Sequence, residues 1–553
     1  MSLDKLKKNI FPTILLVILI GLILCPLITV FAKAVIVDGR LDLYQAWLSV
    51  ADPDNVQTIC NSLLLGICVV LCSSLIALPT AFILARTQLR KYSWLDIVFM
   101  IPFMTPPYIA SMGWILFMQK RGLFQQLFPQ TGSWSEGFFC FGGLVLVMSL
   151  HVFPFLMTMI KNAMLNIPAS LEESGAVFGA KPLSRLKKIL APLLSGNYAI
   201  GALLVFVKTL SEYGTPYTLG RRIGFYVFTT DIHRYSTTAP IDFGKSASLS
   251  SILVFICMIM WLLQNHITEK RSYRLVSGKG SRTAKTNLKP LGKVLAWIWV
   301  VLVIVIAIGV PYFSIISTSL IKLRGYGLVS GNFTLDHYKE LLSTPKALAS
   351  IKTSLLLAFS SATICSIIGT AVVVVVRRSK GFFKKALEAI SLLPEMLPSI
   401  VLVIGIMLFW NTIYKVIPLY NTIGIMILAY VVLYIPYTVQ YVTSAFTQIN
   451  NSLLEAGRTF GGSPAYVFKR ITLPMISKGV FAGWMMIFII AFRELVTASL
   501  IAPPNTLVVS TYINREFEQG SVSLGMAMAV LCVLITTTAL LIFNHLTKKQ
   551  KEG

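Results

Sequence analysis

The chain has 553 residues, 56% of them hydrophobic and only 13% charged. That is too little charge to cover a water-facing globule of this size, and the same figures exclude a disordered chain, a collagen and a secreted disulfide framework. The net charge of +26 does not point to nucleic acid, because Lys and Arg fall in short clusters between long apolar runs, as in polytopic membrane proteins.

In chain order, Lys5, Lys7 and Lys8 precede an apolar stretch at 11–31. It is longer than the roughly 7–15 residues of a signal-peptide core, so it reads as a first transmembrane helix. Eleven more candidates follow, at 59–85, 95–118, 139–160, 197–218, 247–265, 293–320, 353–376, 386–409, 421–441, 479–501 and 521–543. At these lengths a helix satisfies its own backbone in lipid, so an all-α polytopic fold of about twelve spans is expected. The eight Cys lie mostly inside the apolar runs and form no CxxC pair, so they read as small buried residues. With the N-terminus inside, roughly twice as many Lys and Arg fall on the inner side as on the outer, which places both termini in the cytoplasm. The polar, basic stretch 266–292 reads as a cytoplasmic linker between two six-helix halves, 1–265 and 293–545, with a tail at 546–553.

The halves repeat. Residues 171–194 read LEESGAVFGAKPLSRLKKILAPLL and residues 453–476 read LLEAGRTFGGSPAYVFKRITLPMI. One offset of 282 residues pairs Glu173 with Glu455, Gly175 with Gly457, Phe178 with Phe460, Gly179 with Gly461 and Pro182 with Pro464. It also pairs Ile189 with Ile471, Pro192 with Pro474, Pro154 with Pro436 and Glu212 with Glu494. Upstream, an offset of 292 pairs Ser62-Leu63 with Ser354-Leu355, Pro102 with Pro394 and Pro106 with Pro398. An even number of spans per copy makes the two copies parallel, related by an axis along the membrane normal.

Each repeated loop, 167–194 and 449–476, follows the fourth span of its half and so faces the cytoplasm. Ser170 to Glu173 and Ser452 to Glu455 match the capping-box pattern, which predicts a helix start with each Glu turned back on its cap. Gly179 and Gly461 predict a left-handed stop after about two turns, and Pro182 and Pro464 a new start. So short a helix is marginal alone in water. With small residues along it and Phe178 or Phe460 at its end, it is suited to docking on a partner.

These loops resemble the E-A-A-x3-G-x9-I-x-L-P signature of permease subunits of ABC importers. The sequence has E-S-G-x3-G-x9-I-x-A-P from Glu173 to Pro192, departing at Ser174 and Ala191, and E-A-G-x3-G-x9-I-x-L-P from Glu455 to Pro474. The resemblance covers nearly the whole chain and implies a type I importer fold. Two ATPase subunits carrying ATP and Mg would dock on the loops through Glu173, Gly175, Phe178, Gly179, Glu455, Gly457, Phe460 and Gly461. An extracytoplasmic binding protein would deliver the substrate across the cell membrane of a prokaryote. Two fused halves look like ferric-iron permeases, with thiamine, aminoethylphosphonate and polyamine permeases as alternatives within the class.

No engine is expected in the chain itself. Gly244-Lys245-Ser246 lacks the first glycine of a P-loop, and the five His are scattered without metal-ligand spacing, so neither catalysis nor a resident cofactor is read here. Glu212 and Glu494 sit about 15 residues into the fifth span of each half, roughly 23 Å along it. Ionisable groups at such depth face a cavity or a partner. Lys208 can neutralise Glu212 one turn away, whereas Arg493 adjoins Glu494 and points elsewhere, which favours Glu494 as a pathway residue. Tyr213, Arg493, Lys208 and Glu395 complete the candidates. Oxygen donors suit Fe³⁺, but the two cations suit an anion equally well, and the residues leave the substrate open. Pro102, Pro106 and Pro107, and likewise Pro394 and Pro398, are expected to break the third span of each half. An ion-gradient carrier is the alternative from another class but does not account for two in-register loops, and a membrane scaffold would have no need of the intramembrane Glu pair.

Overall fold

The computed structural model describes residues 3–37, 39–270 and 286–552; most of the linker expected at 266–292 lies outside the described residues. The described chain is almost entirely helical, with one two-residue hairpin at Ile36–Val37 and Arg40–Leu41. Ten helices are long and apolar enough to cross a membrane, and two bent pairs bring the number to twelve if each pair is one span.

The duplication is written into the element boundaries. Pro53–Arg86 and Pro345–Arg378 are both 34 residues long, and Phe141–Leu165 and Ile423–Thr447 are both 25. Their starts differ by the offsets 292 and 282 seen in the sequence. The ten-residue difference falls between the third and fourth spans, where the first copy carries two extra short helices, Leu123–Leu127 and Gly132–Gly137. The third spans are broken as their prolines require. Trp94–Met104 and Pro107–Met118 meet at 89°, and Phe382–Met396 and Ser399–Thr412 at 112°. Proline removes a backbone donor and disfavours a helical residue before it, so Thr105 and Leu397 are extended and the helix restarts after each break.

The fifth spans lie elsewhere than the sequence suggests. The helices begin at Pro182 and Pro464, run through one π-turn each (Leu186–Leu190, Phe468–Thr472), and end at Ser211 and Phe492. The basic residues of each loop therefore ride on the first turns of the span, and Glu212 and Glu494 lie just past its end rather than within it. A carboxylate that caps the following short helix costs less there than one held inside a continuous span.

The compact units cut across the two sequence halves. One comprises 1–50, 232–254 and 335–553, and the other 51–231 and 255–334. Each half thus gives its first span to the unit built around the other half's second to fifth spans. The cause is local. Gly405 lies directly against the backbone of buried Pro26 in the first helix: a Cβ there would lie 2.7 Å from the Pro26 oxygen. In the other unit a Cβ on Gly113 would lie 2.7 Å from the Pro311 oxygen. Close backbone approach at small residues is a usual way to join helices in lipid. Thr105 and Tyr312 share a hydrogen bond at 2.8 Å, and Trp299 Nε1 donates to Thr80 Oγ1 at 3.0 Å, so Pro290–Leu320 is pinned in its unit by polar contacts as well.

Candidate functional site

The two repeated loops form the same device, each within its own unit. Ala169–Val177 and Asn451–Thr459 are nine-residue helices. Both end in the same double hydrogen bond around a left-handed glycine. Gly179 (φ 75°) donates to Ala176 O and Ala180 donates to Gly175 O, each at 2.9 Å. Gly461 (φ 80°) donates to Arg458 O at 2.9 Å and Gly462 to Gly457 O at 3.1 Å. This is the Schellman stop, which satisfies the last carbonyls and turns the chain sharply. The turn leaves Phe178 and Phe460 projecting, 89% and 91% exposed.

Gly175 and Gly457 have a different task. A Cβ at Gly175 would come 2.7 Å from Ile189 Cδ1, and one at Gly457 2.6 Å from Ile471 Cδ1. The glycine at the signature's second alanine and the signature's isoleucine are therefore one contact, by which the loop helix lies on the start of the fifth span. The expected capping boxes are absent. The first helix starts after Pro168 with no side-chain cap, and in the second Asn450 accepts from Ser452 N–H at 3.2 Å. Starting before Ser170 and Ser452 puts Glu173 and Glu455 on the second turn, out of reach of the free N–H groups. Both are exposed, available to something outside the chain. Val177, 84% exposed beside Phe178, was not among the expected residues; its counterpart is Thr459, so the repeat gave no signal for it.

Glu212 and Glu494 also prove to be a repeated device. Thr215 N–H donates to both carboxylate oxygens of Glu212 at 3.1 Å, and Thr497 N–H to those of Glu494 at 3.0 and 2.9 Å. Their carbonyls accept from Thr229 Oγ1 at 2.8 Å and from Ser510 Oγ. Ser62 and Ser354 accept from Phe228 N–H and Val509 N–H at 2.8 Å each, which gives the upstream matches a purpose. Each Glu thus fixes the re-entry of the chain after the fifth span.

The surroundings of the two carboxylates differ. In one unit Lys208 Nζ lies over the rings of Phe103 and Phe155, at 5.7 and 5.6 Å, and buried Tyr213 stacks on Tyr217. In the other, Tyr434 and Tyr437 stand on the fourth span with ring centroids 6.3 Å apart. Gln440 Nε2 donates to Glu395 Oε2. The offsets put Val152, Phe155 and Phe103 where this unit has Tyr434, Tyr437 and Glu395. At these three positions the copy containing Glu494 carries oxygen-bearing side chains where the other has apolar ones. Among the described residues no three His, Cys, Asp or Glu side chains converge in a way that could hold a metal ion.

The family described as "Binding-protein-dependent transport system inner membrane component" matches residues 77–273 and again 363–552, once in each half. The chain belongs to that family. This permease is 24% identical over 503 residues to the ferric transport system permease protein FbpB of Actinobacillus pleuropneumoniae, covering 88% of this chain and 71% of the relative. It is 23% identical over 538 residues to Fe(3+)-transport system permease protein FbpB 2 of Haemophilus influenzae, covering 94% and 96%. The spermidine/putrescine transport system permease protein PotC of Haemophilus influenzae matches at 21% over 243 residues, 44% of this chain but 93% of its own length. A relative of half the length fits a permease made by joining two copies of one unit. The fold is the type I permease fold with two repeats, and the chain is a multi-pass inner-membrane transport component.

Proposed function

We propose that this permease is the translocation subunit of an ATP-driven importer. Two ATPase subunits, which bind ATP and Mg, dock on the two repeated loops from the cytoplasm, where both termini also lie. The observation that carries the reading is the pair of identical helix stops, each presenting an almost fully exposed Phe beside an exposed Glu. Burying one such ring is worth about 1.5–3 kcal/mol, so two sockets hold a partner firmly only when both are engaged. ATP-driven closure of the ATPase pair moves the loops, and through the Gly175–Ile189 and Gly457–Ile471 contacts that movement reaches the fifth spans. Substrate arrives from an extracytoplasmic binding protein and crosses by alternating access.

Ferric iron is the substrate this reading favours. Three relatives that align over most of the chain are named as ferric permeases, and the carboxylates and phenols of this copy are the hard oxygen donors that Fe³⁺ takes. Glu494, Glu395, Tyr434 and Tyr437 form the stretch of pathway where the ion is passed, with Arg493 limiting how tightly it is held. Glu212, Tyr213 and Lys208 serve to shape the chain. Polyamine relatives supply a second reading, because carboxylates and aromatic rings also accept a polyammonium chain.

The test is uptake into vesicles holding the permease, its ATPase and its binding protein, with iron and then spermidine as cargo. Iron uptake should require ATP. Glu455→Lys should cut it at least tenfold while leaving the permease in the membrane. ATP-independent uptake, or a normal rate with both Glu173 and Glu455 reversed, would overturn the docking role.

A further inference from the structure

Arg86 ends the second span of the first half, and its side chain is 1% exposed. Its Nη1 lies 3.1 Å from Glu172 Oε1, in the Ala169–Val177 loop helix, where the Glu172 side chain is 14% exposed. The Glu172 carbonyl also accepts from Arg185 Nη1 at 3.4 Å, which holds the loop helix to the start of the fifth span. The backbone of Arg86 has a further partner: its carbonyl accepts from Thr286 N–H at 2.6 Å. Two residues on, Leu288 N–H donates to Gln88 Oε1 at 3.3 Å and Gln88 Nε2 donates to Leu288 O at 3.5 Å. Leu288 leads directly into the helix that begins at Pro290. All of these residues belong to one compact unit.

The second half is built differently. At the repeat offsets Arg378 stands for Arg86, but Leu454 stands for Glu172. A buried ion pair contributes little net stability, because loss of hydration offsets most of the Coulomb attraction; its best-attested role is to fix one arrangement. Here it joins a short helix with an exposed docking face to two long spans.

We propose that Arg86 and Glu172 form a one-sided clamp. It ties the first loop helix to the second span and, through Thr286 and the Gln88–Leu288 pair, to the head of the 290–320 helix. Movement of the first loop is then shared with that helix, whereas Leu454 gives the second loop no such charge to pull on. Both are positioning residues. The clamp deepens the docking proposed above and rests on that reading, but its geometry can be tested without a partner.

Two measurements test it. Spin labels at Val177 and Lys289, both exposed, report the distance from loop helix to span head in the purified permease. The distribution should be narrow in the parent and clearly broader in Glu172→Leu, the variant that installs the second half's residue. An unchanged width overturns the clamp whatever the partner does. In vesicles with the ATPase, Glu172→Leu should still capture it and hydrolyse ATP, while substrate moved per ATP falls about fivefold. Should the lone Arg86 charge prevent folding, the double variant Arg86→Met/Glu172→Leu removes both charges and should show the same loss at parental melting temperature. A merely structural pair would lower the melting temperature and leave transport per ATP unchanged, which overturns the proposal. A parent that captures no ATPase but shows the narrow-to-broad change would refute the docking reading and leave the clamp standing.

Discussion

Phe460 and Gly461 are neighbours, yet they answer to different demands. Phe460 is 91% exposed, so the fold gains little from its ring, and a surface truncation of this kind changes stability by less than about 0.5 kcal/mol. Gly461 has φ 80°, where a Cβ costs roughly 1–2 kcal/mol. Phe460→Ala should therefore leave the melting temperature unchanged and weaken ATPase capture, while Gly461→Val should lower both. Co-purification of the ATPase beside a thermal melt separates the two. A loss of melting temperature on Phe460→Ala would show that the ring is packed rather than presented. The sequence made this distinction readable, because Gly179 and Gly461 recur at the one place where a helix has to stop. It misled on Glu173 and Glu455, where the S-x-x-E spacing fitted a cap but the helix began two residues too early for the side chain to reach.

At the scale of elements, the broken third spans could be read from Pro102, Pro106, Pro394 and Pro398, because proline acts on its own backbone and needs no partner. Twelve apolar runs were likewise legible from length alone. The end of the fifth span was not. Apolar residues continue past Ser211 and Phe492, and only the hydrogen bonds from Thr215 to Glu212 and from Thr497 to Glu494 show that the chain has left the helix. Nor did composition reveal that the first span packs with the other half, since lipid-facing and helix-facing apolar surfaces look alike in sequence. That packing depends on Gly405. A Cβ there would lie 2.7 Å from a backbone oxygen, which cannot swing aside as a side-chain tip can, whereas one on Gly21 would meet nothing within 4 Å. Gly405→Leu should thus destabilise the permease by about 1–3 kcal/mol, and Gly21→Leu should be tolerated. Denaturation in detergent checks both, and equal melting temperatures would remove Gly405 from the account.

On the scale of the molecule, exchange of the first spans changes what a half can do alone. The unit built on 335–553 includes residues 1–50, and the unit built on 51–231 includes 255–334. A chain ending at 270 lacks the 290–320 helix that Trp299 and Tyr312 fasten to Thr80 and Thr105. A chain starting at 286 lacks the helix that meets Gly405. Each fragment would lack the close helix contact at Gly113 or Gly405 that joins the first span to its unit. Expressed singly, residues 1–270 and 286–553 should each be degraded or aggregate. Expressed together, they should assemble into one complex, because every contact that defines a unit is restored without the covalent link. PotC, matched over 93% of its own length by 44% of this chain, is a half-length permease made as a separate polypeptide. Affinity capture of one tagged fragment should retrieve the other in equal amount from membranes. Stable accumulation of either fragment by itself would mean that the exchanged span is an accessory, and that each sequence half carries a complete core.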